Sequence, residues 1–430
     1  LRQNHAVGLH LNKPRATLCL DFPLDTRWST ATVKITDIKT FLMMAGAPES
    51  VGASSWSSRN WCFVKVYTDE GVVGIGEGSG WPRVVQTAIE DLRSIVVGED
   101  PTNIERIWQK MLVSTMGAGM TGTPGSGAIN AIDMALWDIK GKVLNTPVWN
   151  LLGGKMRDRI RAYGHAGTPE RALELKAQGL TAVKTGGVHR VADKVETIRK
   201  TVGDEMDIMV DAHGPPWYNT KDAIIVGKSL EQFNLLFYED PVPPDNVDAL
   251  RRVQDNVDIP IAAGERHSHI WGVRRLIEEE IVDVVQPDTG RIGGISQMMK
   301  LAAMAEAHYI SVAPHSGSLG PVAEYAAIHV LAAIPNALIL ERVHDDVPVR
   351  YDVTLPHIPT VDGYIEVPDR PGLGVDIDEV VAAANPSKGN TTTPGSEGDG
   401  SYEPGTWDEH VYVQTRYSRQ ANLRAPGRQS

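Results

Sequence analysis

From Arg159 onward the chain alternates short apolar runs with amphipathic stretches, and this alternation constrains the fold more than any other feature of its 430 residues. RIRAYGH, LTAVKTG, DIMVDAH, LLFYEDP, IPIAAGE, VDVVQPD, ISVAPHS and ALILERV read as strands, the last ending near Val343. Seven helical patterns fill the gaps, among them PERALELKAQG, VADKVETIRKTV and GISQMMKLAAMAEAH. Strand and helix repeating at this period are the signature of parallel βα units. Near-continuous apolar strands fit a sheet buried on both faces. No clear helical pattern follows the eighth strand, so the expected architecture is α/β, a (β/α)7β barrel.

The preceding residues follow a different plan. Residues 1–30 show little periodicity and read as an extension. Strand patterns at 33–44, 61–71 and 72–81 are followed by helical patterns at 84–96, 103–114 and 127–145. Strands followed by helices without alternation predict an α+β domain. The expected organisation is an extension plus α+β capping domain over 1–157, a barrel over 158–344, and a segment over 345–385 that returns to the first domain. Residues 386–430 form a Gly/Ser/Thr/Pro-rich connector and a tail, whose one alternating patch, HVYVQTRY, suits an edge strand or local packing. Met43–Ser54, rich in Gly, Ala and Ser, is the candidate lid.

A formal net charge of −12 argues against nucleic acid or an anionic membrane as partner. An anionic small molecule stays open, because a metal ion reverses the local sign. Two cysteines, Cys19 and Cys62, suit a reducing cytoplasm, with a disulfide left open. No run of eighteen apolar residues exists, and the opening LRQNHAVGLHLNKPR has no apolar stretch of signal-peptide length.

Strand ends carry the chemistry in a barrel, because each strand delivers its last residue to the same face. Asp211, Glu239 and Glu265 close three successive strands, separated by 28 and 26 residues. Three hard oxygen ligands on one face fit Mg²⁺; helix capping is the alternative for any one of them. Asp288 and His315 end the next two strands, where a carboxylate against an imidazole would fix its tautomer and raise its basicity. A structural histidine is the alternative. His213, two residues beyond Asp211, falls on the same side of the strand end and suits a proton donor, or a contact to the loop PPWYN. Lys184 ends the second strand and calls for an anionic partner such as a bound carboxylate. Glu341 ends the eighth and would hydrogen-bond that carboxylate if protonated. His165, Arg266, His267 and Trp217, at or just past strand ends, are further substrate-binding candidates. GVVGIGEGSG is Gly-rich, but its spacing is not G-x-G-x-x-G and no matching βαβ unit follows. RIGGI after Asp288 is explained equally by anion binding and by a helix-start turn.

Assembled, these residues resemble the enolase superfamily and, within it, the mandelate racemase subgroup. AIDMALWDIKGK…PVWNLLGG (131–154), PDRPGLGV and the strand-end order Lys, Asp, Glu, Glu, Asp, His, Glu carry the likeness, which spans roughly residues 33–380. The resemblance implies a capping domain over a (β/α)7β barrel, Mg²⁺, abstraction of the proton α to a carboxylate, and an even-numbered homo-oligomer. Racemases of the subgroup carry Lys-x-Lys on the second strand; Lys184-Thr185-Gly186 lacks the second base. Asp211-Ala212-His213 is similar to the Asp-x-His of acid-sugar dehydratases, and GER and APH look most like the galactonate type. The expected activity is therefore dehydration of a sugar acid to a 2-keto-3-deoxy acid. A cycloisomerase acting through the same enediolate is the alternative, with a racemase or a non-catalytic homologue behind it.

Overall fold

A three-stranded antiparallel sheet, β1 (Ile35–Ala45), β2 (Arg59–Thr68) and β3 (Val73–Gly78), opens the structure in sequence order. Helices α1 (Pro82–Val96), α2 (Ile104–Gly117) and α3 (Gly125–Val143) cover it. The computed structural model describes residues 33–45, 59–212, 217–317, 319–342, 349–387 and 413–414. The glycines of GVVGIGEGSG serve packing here. A Cβ on Gly74 would lie 2.2 Å from the carbonyl oxygen of Ala135, and one on Gly76 1.9 Å from that of Ala131. Only glycine lets α3 press its backbone onto β3 so closely.

A short helix, α4 (Val148–Leu151), leads into the barrel. Its strands are β4 (Arg159–His165), β5 (Ala182–Gly186), β6 (Asp207–Asp211), β8 (Phe237–Glu239), β9 (Ile261–Ala263), β10 (Val284–Val285), β11 (Ser311–Val312) and β12 (Leu340–Glu341). A two-residue strand, β7 (Trp217–Tyr218), lies outside the ring. Among the described residues the connecting helices number seven, as the sequence predicts: α5 (Pro169–Ala177), α6 (Val191–Val202), α7 (Thr220–Leu230), α8 (Val247–Gln254), α9 (His269–Glu278), α10 (Ile295–Ala307) and α11 (Pro321–Ala333). Thr168, Asn219 and Asn246 start α5, α7 and α8 by accepting backbone N–H groups with their side chains, the ordinary N-cap role.

Neighbouring barrel strands pair in parallel from β4 to β11. The segment before β12 completes the ring. Ala337 bridges Val312, with Val312 N–H donating to Asn336 O at 2.8 Å and Leu338 N–H to Val312 O at 2.9 Å, while β12 pairs with β4. The interior agrees with closure: Tyr163, Ala182, Met209, Phe237, Ala262, Val284, Ala313 and Ile339, each on or immediately beside a different barrel strand, form a separate apolar cluster.

The return segment serves both parts. After α12 (Val349–Val353) and β13 (Thr354–Leu355), β14 (Thr360–Val361) and β15 (Tyr364–Glu366) form a hairpin that extends the barrel sheet beside β4. Beyond it, β16 (Asp376–Ile377) and α13 (Glu379–Ala384) meet the first sheet, where Lys65 Nζ binds Glu379 at 2.6 Å and Asp376 at 3.0 Å. From the alternating patch in the tail, β17 (Val413–Gln414) pairs in parallel with β7. No helix among the described residues is long and apolar enough to cross a membrane.

The first domain is latched to the barrel at the loop after β10. Asn130 of α3 donates to Glu77 O (3.0 Å) and Thr289 O (2.8 Å), and accepts from the N–H groups of Gly293 (3.2 Å) and Gly294 (2.6 Å). Asp133 accepts from Ser296 N and Oγ, and Trp108 Nε1 donates to Gly293 O. The signature helix of the sequence is thus a docking surface.

Candidate active site

Strand alternation places a second interior residue two positions beyond each member of the apolar cluster. These are His165, Lys184, Asp211, Glu239, Gly264, Gln286, His315 and Glu341. In such barrels, layers of four interior side chains come from alternate strands. Counted around the barrel from β4, the second, fourth, sixth and eighth (even) strands supply Lys184, Glu239, Gln286 and Glu341, and the first, third, fifth and seventh (odd) strands His165, Asp211, Gly264 and His315. Within the even set, Lys184 Nζ lies 2.8 Å from Glu239 Oε2 and 2.9 Å from Glu341 Oε1.

Lys184 is also 3.4 Å from Asp211 Oδ2. Burial works against its charge, but Glu239 and Glu341 outweigh burial and hold it well above the usual lysine range. Glu239 responds in the opposite sense. Burial first, and the neighbouring Asp211 second, push its carboxyl up to about 8 despite the lysine. Its Oε1 is buried with no hydrogen-bond partner among the described residues. Burial would raise Glu265 too, yet Arg266 and His315 hold it well below the usual carboxylate range. Arg266 also pairs with Asp240 and stacks over Trp217, 5.2 Å from the ring centroid.

As arranged, no group of three His, Cys, Asp or Glu side chains among the described residues is posed to hold a metal ion. Lys184 has drawn in Glu239, and Arg266 and His315 have drawn in Glu265. The donor chemistry nevertheless fits a divalent cation. Three hard carboxylates stand at successive strand ends, one of them with an orphaned buried oxygen and a charge that its acidic neighbour disfavours.

His315 and Asp288 meet as the sequence predicts. Nδ1 is 2.7 Å from Asp288 Oδ2, and the two residues bridge in parallel register. Nε2 lies 2.9 Å from Glu265 Oε2. Burial disfavours a charged ring, but Glu265, Glu341 and Asp288 together raise it well above the usual histidine range. Asp288 is itself held by residues for which the sequence suggests no role toward the dyad. Ser79 Oγ donates to Oδ1 at 3.0 Å, Gly290 N–H to the same oxygen at 2.8 Å, and Arg291 pairs with Oδ2 at 2.8 Å. The RIGGI turn therefore steadies the dyad and accepts the latch from Asn130.

Glu341 stands as a carboxylate rather than a carboxyl donor. Burial raises it, but Lys184 and His315 overcome that and hold it well below the usual range. It accepts Ser316 and Gly317 N–H at 2.8 Å each, and His165 Nε2 lies 2.7 Å away. His267 stands apart, lining a small pocket on the helix side with Pro243, Val247, Leu250 and Leu276. His213 lies outside the described residues, as do Gly46–Ser54 of the candidate lid and the connector beyond Ser387.

A capping domain latched over a (β/α)7β barrel, with acids at successive strand ends around one aspartate-held histidine, is the architecture of the enolase superfamily. The chain belongs to its mandelate racemase/muconate lactonizing enzyme family. The model of that family's N-terminal domain matches residues 33–153, and the model of the enolase C-terminal domain-like family matches residues 168–381. A D-galactonate dehydratase of Ralstonia pickettii (strain 12J) is 36% identical over 354 residues, covering 75% of this chain and 90% of that protein. Among solved structures, the 3,6-anhydro-D-galactonate cycloisomerase of Zobellia galactanivorans superposes with a TM-score of 0.75 at 32% identity, covering 82% of this chain and 99% of that one. A member of the enolase superfamily from Salmonella Typhimurium gives 0.75 at 31% identity, covering 82% and 98%.

Proposed function

We propose that this enzyme is a Mg²⁺-dependent sugar-acid dehydratase. The observation that carries the reading is His315, buried at the barrel mouth with Nδ1 on Asp288 and Nε2 turned toward the acid cluster. Likeness to a D-galactonate dehydratase over 90% of that protein supports the substrate class. Asp211, Glu239 and Glu265 would hold the ion. A divalent cation there supplies Lewis-acid charge beside the substrate carboxylate, where electron density builds as the α-proton leaves.

The chain's own residues do the rest. Asp288, fixed by Ser79 and Gly290, keeps the His315 proton on Nδ1 and leaves Nε2 as the atom that takes hydrogen from C2. With Nε2 2.9 Å from Glu265 Oε2, that nitrogen must be free of a proton before the ring can take one from carbon. Lys184 offers its buried positive charge to the substrate carboxylate. His213 then protonates the departing 3-hydroxyl, giving water and an enol that rearranges to the 2-keto-3-deoxy acid. With Lys184 followed by Thr185 and Gly186, the second strand offers no second base for racemisation.

The solved cycloisomerase favours a second reading, in which the same proton abstraction expels a ring oxygen. Hexonates, pentonates, aldarates and anhydro-sugar acids incubated with enzyme and Mg²⁺ in D₂O separate the two. Dehydration is seen as loss of the mass of water, isomerisation as no mass loss. His315→Asn should abolish both turnover and deuterium uptake at C2; a variant that keeps full activity would remove His315 from the mechanism.

A further inference from the structure

Gln286 has no assigned role, yet it occupies the fourth position of the even-strand layer that also holds Lys184, Glu239 and Glu341. Register fixes the placement. Val284 and Val285 pair with Ala262 and Ala263 on one side and with Ser311 and Val312 on the other, so Gln286 lies level with Gly264 and Ala313. Val284 belongs to the interior cluster, and two residues on, Gln286 faces inward again. Asp288, the anchor of His315, is two residues further along the same strand.

Two observations separate Gln286 from an ordinary core residue. It is fully buried, at 0% exposure, and neither Oε1 nor Nε2 has a hydrogen-bond partner among the described residues. A buried amide without partners is unfavourable on both its donor and its acceptor side. A methionine or leucine would fill such a place at less cost, so stability does not explain the residue. Unexplained local cost of this kind is concentrated where proteins bind ligands.

The second observation is the neighbour. Gly264 contributes no side chain to the odd layer, and its φ of +142° together with a backbone contact admits none. A Cβ there would meet Gln286 N at 3.0 Å and its carbonyl at 3.2 Å. Strands β9 and β11 flank β10, so the interior positions beside Gln286 on the mouth side are Gly264 and His315. One is empty of side chain, and the other is the proposed base. The layer-mates of Gln286 are equally enclosed, Lys184 at 2% and Glu341 at 1% exposure.

We propose that Gln286 is a substrate-binding residue whose amide takes a hydroxyl of the hydroxy acid beside the carbon that faces His315. An amide presents one donating and one accepting edge. A hydroxyl can accept from the first and donate to the second, whereas a carboxylate can only accept. The inference rests on the sugar-acid reading above and adds to it a residue that selects for hydroxylation next to the reacting carbon.

The test is Gln286→Met, which keeps length and volume but removes both polar edges, with Gln286→Leu as a second apolar replacement. Thermal unfolding and steady-state kinetics are measured on the same preparations, with the hydroxy acid that wild type turns over. The expected result is an opposed pair: an unfolding midpoint equal to or above wild type, and kcat/KM at least 10-fold lower in both variants. A site built to bond a hydroxyl discriminates strongly against partners lacking it. Unchanged kcat/KM in both variants would overturn the proposal, as would a lowered midpoint in both, which would show that the amide has a structural partner. Failure of the underlying reading looks different, because wild type itself would then neither dehydrate, isomerise nor exchange deuterium into any acid of the panel.

Discussion

Asn130→Ala tests how firmly the capping domain is latched to the catalytic face. One side chain satisfies four backbone groups, at Glu77, Thr289, Gly293 and Gly294, across distances of 2.6 to 3.2 Å, and it is 0% exposed. Truncation to alanine leaves two carbonyls and two N–H groups without partners. Each buried group so orphaned costs about 1–3 kcal/mol, so even at the low end the four cost about 4 kcal/mol. That is a large share of the roughly 5–15 kcal/mol that separates most folded proteins from the unfolded state. Urea unfolding followed by tryptophan fluorescence and far-UV circular dichroism is the assay. With an m-value of a few kcal/mol/M, the midpoint should fall by about 1 M. Asn130→Asp should not rescue it, because a carboxylate can accept from the two glycines but donates nothing to Glu77 O or Thr289 O. A midpoint within about 0.2 M of wild type for Asn130→Ala would refute the reasoning, since the free energy involved would then be below 1 kcal/mol.

Two further outcomes follow from buried charge. His329, 0% exposed, accepts Trp149 N–H at Nδ1 (3.1 Å) and lies 3.0 Å from Leu373 O through Nε2, and burial lowers its pKa to about 4. The unfolded chain, with an ordinary histidine near 6.5, binds that proton first. The neutral ring therefore contributes its full stabilisation above pH 6.5, and about 3 kcal/mol of it is lost as pH falls to 4. His329→Gln should flatten the pH dependence of the unfolding free energy by up to one proton in that window; an unchanged slope would exclude His329 as the cause. At the mouth, Mg²⁺ should raise the unfolding midpoint of wild type, by about 2.7 kcal/mol at a hundred times the dissociation constant. Glu239→Gln should abolish the shift, and a shift of equal size in that variant would remove Glu239 from the ion's ligands.

How much of this was legible in the sequence depends on whether a residue announces itself through period or through contact. The barrel strands were legible because short apolar runs alternating with amphipathic stretches survive as a pattern in one dimension. Lys184, Asp211, Glu239, Glu265, His315 and Glu341 each stand at or near the end of an apolar run, a position visible with no coordinates at all. Asp288 and His315 were legible for the same reason, and their 2.7 Å contact follows from adjacent strands in register. Ser79 and Asn130 were not, because their partners lie 209 and up to 164 residues away and obey no period. The charge state of Glu341 was illegible as well. It depends on Lys184 and two backbone amides meeting one carboxylate, a balance of distances rather than of residue types.

Gln286 lies between these cases. Its position obeys the same period-two count as the acids, but an uncharged amide at a strand end carries no expectation of chemistry. What singles it out is the absence of a partner among the described residues in a fully buried place, beside a glycine that carries no side chain. A sequence reading ranks residues by reactivity, and so finds those that move protons or could hold a cation. Residues that recognise a neutral group are found by asking which buried polar atoms the fold itself leaves unsatisfied. In this barrel the two routes converge on one layer, where Lys184, Glu239 and Glu341 come from the first and Gln286 from the second.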